Sequence, residues 1–204
     1  MTPVEGPVGP AGTPVTNPPQ VPLLNIANVL TVCRILLVPV FLAMLFVDDG
    51  HQVSWRLLAT AVFAIASITD HVDGSLARSR NLVTDFGKIA DPIADKALTG
   101  SALIGLSLLG DLPWWVTIVI LVREVGVTLL RFWVIRRGVI AASWGGKAKT
   151  LVQIIGIGLF LLPLPDVFWW PRWAIMGLAI ALTVITGLDY VVRAVRLWRG
   201  SPAR

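Results

Sequence analysis

Asp70, Asp73, Asp91 and Asp95 are the residues whose type and spacing most invite chemistry. The first two are three apart and the last two four apart, so on helices each pair shares one face. Gly87, Asp91 and Asp95 form a single stripe in which the glycine leaves room for a ligand. All four carboxylates lie at or inside the ends of apolar runs. An isolated aspartate costs about 2.5 to 3.5 kcal/mol at the centre of a membrane-inserted helix, less near an interface, and four facing each other also repel. A hard divalent cation offsets both penalties, because carboxylate oxygens are natural ligands of Mg²⁺, Mn²⁺ or Ca²⁺. Four of them suffice for a pair of ions, a common arrangement for phosphoryl transfer. The competing arrangement pairs the aspartates with Arg78, Arg80, Lys88 and Lys96 in a solvated loop. Helical spacing with small residues interleaved favours metal.

The elements that must position these carboxylates are read from composition. The chain has 204 residues, 55% hydrophobic and 14% charged, with mean hydropathy +0.78, whereas an ordinary soluble domain is roughly 25% charged. A helix needs about 20 mainly apolar residues to cross the hydrocarbon core. Six segments are candidates: Asn28 to Val47, Trp55 to Thr69, Ile89 to Leu109, Pro113 to Ile135, Leu151 to Leu164, and Trp170 to Leu197. They are rich in Leu, Ala, Ile and Val and lack the period-two alternation of barrel strands. The expected fold is an all-α integral membrane protein with six transmembrane helices at 23–200. Residues 1–22, with seven prolines among Gly, Thr and Val, bury too little to fold and are expected to be a disordered tail; 201–204 form a short C-terminal tail. No basic region precedes the first apolar run, so that run is expected to stay in the mature protein.

Charge sets the orientation. Arg78, Arg80 and Lys88 fall between segments two and three, Arg136, Arg137, Lys147 and Lys149 between four and five, and Arg193, Arg196, Arg199 and Arg204 at the C-terminus. The opposite loops carry little beyond Asp48, Asp49, His51, Arg56, Asp111, Asp166 and Arg172. The positive-inside rule then makes both termini and the aspartate-rich end cytoplasmic, in the cell membrane. Trp55, Trp114, Trp115, Trp169, Trp170, Trp173 and Trp198 lie near segment ends, where indole suits the headgroup level. Cys33 is the sole cysteine, which excludes an intrachain disulfide, and the usual preference of cysteine predicts that it is buried.

Asp70, Asp73, Gly74, Ala77, Arg78, Gly87, Asp91 and Asp95 spell D-x2-D-G-x2-A-R-x8-G-x3-D-x3-D. This resembles the signature of the CDP-alcohol phosphotransferases at every specified position. The resemblance implies a six-helix enzyme of the cytoplasmic membrane, with its active site at the cytoplasmic end of the bundle, that moves a phospho-substituent from a CDP-linked donor to an alcohol and releases CMP. It further implies that Asp70, Asp73, Asp91 and Asp95 line a site for Mg²⁺ or Mn²⁺, two ions, with Asp95 also the base. Thr31, Gly74, Ala77, Arg78 and Gly87 would contact the CDP moiety, and a homodimer would be the assembly. The physics agrees: small residues allow close backbone approach, guanidinium suits a diphosphate, and a carboxylate within reach of a hydroxyl can take its proton.

The acceptor is read from other segments. The stretch from Asn25 through Asn28, Thr31 and Arg34 to Pro39 resembles the opening of the phosphatidylglycerophosphate synthase branch of that family, with Ala27 where a proline is usual. Arg123-Glu124, Arg131, the run Ser143 to Gln153 with Lys147 and Lys149, and Asp189-Tyr190 with Arg193 resemble further segments of the same branch. Arg34, Arg123 and Arg131 lie within apolar runs, where an unpaired cation is costly and a functional role is the default. An acceptor bearing a phosphate explains them together with Lys147, Lys149 and Arg193; a structural ion pair to Glu124 or Asp189 is the alternative for Arg34 or Arg123. The expected substrates are CDP-diacylglycerol and glycerol 3-phosphate, the expected surroundings membrane lipids, and no nucleic acid is involved.

Inositol 1-phosphate or phosphatidylglycerol as acceptor in the same family is the nearest rival, while choline or ethanolamine would not want a basic cluster. A divalent-cation transporter would spread acidic residues across the bilayer depth; here they collect at one face. His71 points about 100° away from its aspartate neighbour on a helix and reads as an interface residue.

Overall fold

The computed structural model describes residues 26–79, 85–134 and 144–200, and the described residues are helical, without a strand. The helices are α1 (Ile26–Leu45), α2 (Val53–Ser79), α3 (Asp85–Leu108), α4 (Trp114–Val134), α5 (Trp144–Leu161) and α6 (Trp169–Gly200). The expected tails at 1–22 and 201–204 lie outside the described residues, as do Arg80, Arg136, Arg137 and Ser143. At about 1.5 Å per residue, the 20 residues of α1 extend about 30 Å, the thickness of a hydrocarbon core.

The helices overrun the apolar segments at the aspartate end. α2 continues past Thr69 to Ser79, so Asp70 through Arg78 stand inside the helix. α3 starts at Asp85 rather than Ile89, and α5 at Trp144 rather than Leu151, which makes Gly87, Lys88, Lys147 and Lys149 helical too. An apolar run ends where polar residues begin, but a helix ends only where its backbone bonding stops.

The opposite end is tied together by Arg56 in the first turn of α2. Its guanidinium donates to the carbonyl oxygens of Gly50, Phe160 and Leu161 and to Asp111 Oδ2. The starts of α2 and α4 and the ends of α3 and α5 therefore share one end, and consecutive helices alternate in direction. Between α1 and α2 the chain reverses through Asp48 and Asp49, both left-handed at φ 54° and 49°, and Gly50 at φ 74°. Gly50 lies so close to Leu109 that a Cβ there would stand 2.7 Å from its Cδ1.

Buried residues segregate along the bundle axis. Toward the Arg56 end the interior is Phe41, Leu45, Ala59, Phe63, Leu103, Leu106, Val116, Ile120, Ile157, Phe160 and Met176. Its polar exceptions are Ser107 and Thr117, whose hydroxyls bond each other at 2.7 Å. Toward the aspartate end the buried set turns polar: Asn28, Thr31, Arg34, Ser67, Thr99, Lys149, Gln153, Thr183 and Thr186.

The outside is apolar. Leu36, Val122, Leu129, Ile185 and Leu188 are 61–66% exposed, and the windows Asn28–Leu45 and Asp166–Trp198 have mean hydropathies of 2.2 and 2.0, apolar and long enough to cross a membrane. Val53–Thr69 and Ala148–Leu161 are shorter apolar stretches. Cys33 departs from expectation: it is exposed on the stripe of α1 that carries Val29, Val32 and Leu36. When the outer face is as apolar as the core, an apolar side chain gains nothing by turning inward.

Candidate active site

The backbone places the two halves of the aspartate motif on successive antiparallel helices that pack together, α2 with Asp70 and Asp73 and α3 with Gly87, Asp91 and Asp95. Both halves lie near the end where 80–84 join the helices. The helical register keeps Asp70 and Asp73, and separately Gly87, Asp91 and Asp95, on one face each. The side chains of Asp70, His71, Asp73, Ala77, Arg78 and Asp91, and the surroundings of Gly74 and Gly87, lie outside the described residues. Carboxylates are hard oxygen donors and fit Mg²⁺ or Mn²⁺.

Asp95 is half-buried and engaged in contacts, and its main-chain carbonyl accepts a bond from Thr99 Oγ1 at 2.9 Å. Next to it, Lys96 Nζ donates to Thr128 Oγ1 at 2.5 Å, linking α3 to α4. Thr128 in turn donates to the main-chain carbonyl of Glu124 at 2.8 Å.

Glu124 is the hub of the basic cluster. Its Oε1 accepts from Arg123 Nη1 at 3.0 Å and from Lys149 Nζ. Arg123 Nη2 reaches α6, donating to Thr186 Oγ1 at 2.9 Å. The guanidinium arm lies across α6 at Gly187, where a Cβ would stand 3.1 Å from Arg123 Cγ. The side chains of Arg123, Glu124 and Lys149 are 14%, 18% and 4% exposed, so the cluster is largely withdrawn from solvent. With Lys96, three cations face the carboxylates of Glu124 and Asp95, an excess of one positive charge.

The other residues singled out from sequence divide. Asn28, Thr31 and Arg34 recur every three residues on one buried face of α1, and each is engaged in contacts. The side chains of Arg131 and Lys147 lie outside the described residues, on α4 and α5. Arg193 pairs with Asp189 at 2.9 Å, four residues earlier on α6, both sides of the pair about half exposed; it is not brought into the buried cluster. Lys96, Thr128, Thr186 and Gly187 were not legible as members of the site. The one available signal was the four-residue spacing of Glu124 and Thr128 on a helix that also carries Arg123.

The described site therefore holds the aspartate-bearing helices α2 and α3 and a buried Arg123–Glu124–Lys149 cluster on α4 and α5. The sequence pattern of CDP-alcohol phosphatidyltransferases matches residues 24–185. The chain is similar to a probable phosphatidylglycerophosphate synthase of Mycobacterium tuberculosis, 60% identical over 174 residues, 85% of this chain and 83% of that protein. It is also similar to the CDP-diacylglycerol–glycerol-3-phosphate 3-phosphatidyltransferase of Bacillus subtilis, 38% identical over 189 residues, 82% of this chain and 94% of that one. The enzyme of the same name in Escherichia coli is 35% identical over 169 residues, 79% of this chain and 88% of the other.

Proposed function

This chain belongs to the CDP-alcohol phosphatidyltransferase family, and on that premise we propose that it transfers the phosphatidyl group of CDP-diacylglycerol to glycerol 3-phosphate, giving phosphatidylglycerophosphate and CMP. The observation that carries the acceptor assignment is the buried Arg123–Glu124–Lys149 cluster, joined through Thr128 to Lys96, the neighbour of Asp95 on α3. Its excess of positive charge calls for an anionic acceptor, and the names borne by the relatives agree.

The reaction needs a nucleophile, a base and a stabilised leaving group. Asp95 takes the proton of the acceptor's primary hydroxyl as that oxygen bonds the phosphorus next to diacylglycerol. The bond from that phosphorus to the bridging oxygen breaks, and CMP departs with the electron pair. Arg123 and Lys149 hold the acceptor's phosphate so that its hydroxyl faces Asp95, converting an encounter into a positioned attack. Thr31, on the buried face of α1, and Gly74, Ala77, Arg78 and Gly87 would contact the nucleotide diphosphate, and Arg34, one turn on from Thr31, would help hold the acceptor's phosphate. Asp70, Asp73, Asp91 and Asp95 would hold two Mg²⁺ or Mn²⁺ ions, whose positive charge neutralises the diphosphate.

The proposed setting is the cytoplasmic membrane, crossed six times by a domain at 23–200, with both termini and the site on the cytoplasmic side and a homodimer as assembly. An even number of alternating helices, the apolar exterior and the basic residues at the aspartate end support that orientation.

The test is CMP release by purified protein in detergent with Mn²⁺ or Mg²⁺ and CDP-diacylglycerol, with glycerol 3-phosphate, inositol 1-phosphate and phosphatidylglycerol offered separately. Release with glycerol 3-phosphate alone, lost in Asp95→Asn, is expected. Turnover with another acceptor instead would overturn the acceptor assignment, and no turnover with any would overturn the transferase reading.

A further inference from the structure

We propose that Gln153 is a specificity-determining residue whose side-chain carbonyl accepts a hydrogen bond from the non-reacting hydroxyl of the acceptor, an inference that rests on the glycerol-phosphate reading above. Gln153 follows Lys149 by one turn on the same face of α5. It is 3% exposed, and its Oε1 is buried without a hydrogen-bond partner among the described residues. Buried carbonyl oxygens are almost always partnered, and one left alone costs free energy unless a ligand or water completes it.

A second orphan marks the same layer. Ser67 on α2 is buried, and its Oγ also has no partner. α2 and α5 pack against each other in opposite directions, registered by the bond from Arg56 to the Leu161 carbonyl. From that bond Ser67 lies about 16 Å along α2 and Gln153 about 12 Å along α5, at about 1.5 Å per residue. Both orphans therefore sit within about one turn of each other in depth, between the apolar core and the cations that would grip the phosphate.

The chemistry of the acceptor fits that floor. Glycerol 3-phosphate has one hydroxyl that attacks and a secondary hydroxyl that does not. With phosphate at Lys149 and Arg123, the secondary hydroxyl is a donor in search of an acceptor, and Gln153 Oε1 is an acceptor in search of a donor. A site built to bond a substrate hydroxyl rejects the analogue that lacks it, because its own polar atom is then stranded.

The experiment compares glycerol 3-phosphate with 3-hydroxypropyl phosphate, which keeps the reacting hydroxyl and phosphate but lacks the secondary hydroxyl. Wild-type kcat/KM is expected to be at least about tenfold lower for the analogue. In Gln153→Met, similar in shape but without the carbonyl, turnover of glycerol 3-phosphate should fall by about the same factor while the analogue is little changed, so the preference collapses; the KM for CDP-diacylglycerol should not move. Equal use of both acceptors by wild type overturns the proposal whether or not the variant folds, as does a variant that keeps the wild-type preference, which would mean that Gln153 holds a structural water only. Should Gln153→Met not fold, Gln153→Asn, with the carbonyl drawn back by one methylene, must show a reduced preference, and an unreduced one overturns the proposal. Absence of turnover with glycerol 3-phosphate in wild type would instead remove the reading beneath it.

Discussion

Arg56 Nη2 stands 2.7 Å from Asp111 Oδ2, and the same nitrogen is 2.9 Å from the carbonyl oxygen of Phe160. One guanidinium thus closes an ion pair to the α3–α4 turn and caps the last turn of α5, whose carbonyls have no helical partner of their own. Replacing Arg56 with Leu leaves those carbonyls and Asp111 without their donor in a partly buried place, a loss of about 2 to 4 kcal/mol. Thermal unfolding in detergent should shift down by several degrees, with KM for both substrates unchanged in the protein that remains folded.

Glu124 has the opposite profile. Glu124→Gln keeps the shape of the side chain but removes the charge that orients Lys149 and Arg123. The KM for glycerol 3-phosphate is expected to rise about tenfold, the worth of one charge-assisted hydrogen bond, and that for CDP-diacylglycerol to change by less than about twofold. Glu124→Asp, which retains the charge on a shorter arm, should fall between. Steady-state kinetics with each substrate varied in turn separates these outcomes from a general loss of folded protein.

Gly187→Ala sets two effects against each other. Alanine in a helix gains up to about 1 kcal/mol over glycine, whereas the added methyl would stand 3.1 Å from Arg123 Cγ and the arginine must give way by a few tenths of an ångström. Stability should therefore change by less than about 1 kcal/mol, while acceptor KM rises severalfold because the guanidinium is displaced. An unaltered KM would show that Arg123 does not touch the acceptor.

Chelation should abolish CMP release, and Mg²⁺ or Mn²⁺ should restore it. Asp91→Asn, on the face shared with Gly87 and Asp95, should raise the metal concentration needed for half-maximal activity by at least about tenfold, the low end for a weakened site. Activity indifferent to chelator would remove the assigned role of all four aspartates.

The sequence made the chemistry easier to read than the packing. Fixed spacing along one chain carries the aspartate motif. Glu124 as the common partner of Arg123 and Lys149 is a matter of how α3 and α6 set α4 and α5 across the bundle, which no periodicity within either helix encodes. The ends of α2, α3 and α5 were placed short because polar residues interrupt an apolar run without interrupting backbone hydrogen bonding. Cys33 was misplaced for a related reason: burial preferences learned in water lose their force where the exterior is itself greasy.

The division of the interior into a polar half and an apolar half bears on permeability. Charged groups deep inside a membrane are ordinarily the makings of a conduction path. Here Phe41, Phe63, Leu103, Leu106 and Phe160 fill the bundle below the polar layer. In the proposed orientation, reactants bound at the polar end would enter and leave from the aspartate side. On that reading the bundle would work as a blind vessel with an insulating floor, processing highly charged reactants within the membrane while leaving the electrochemical gradient across it intact.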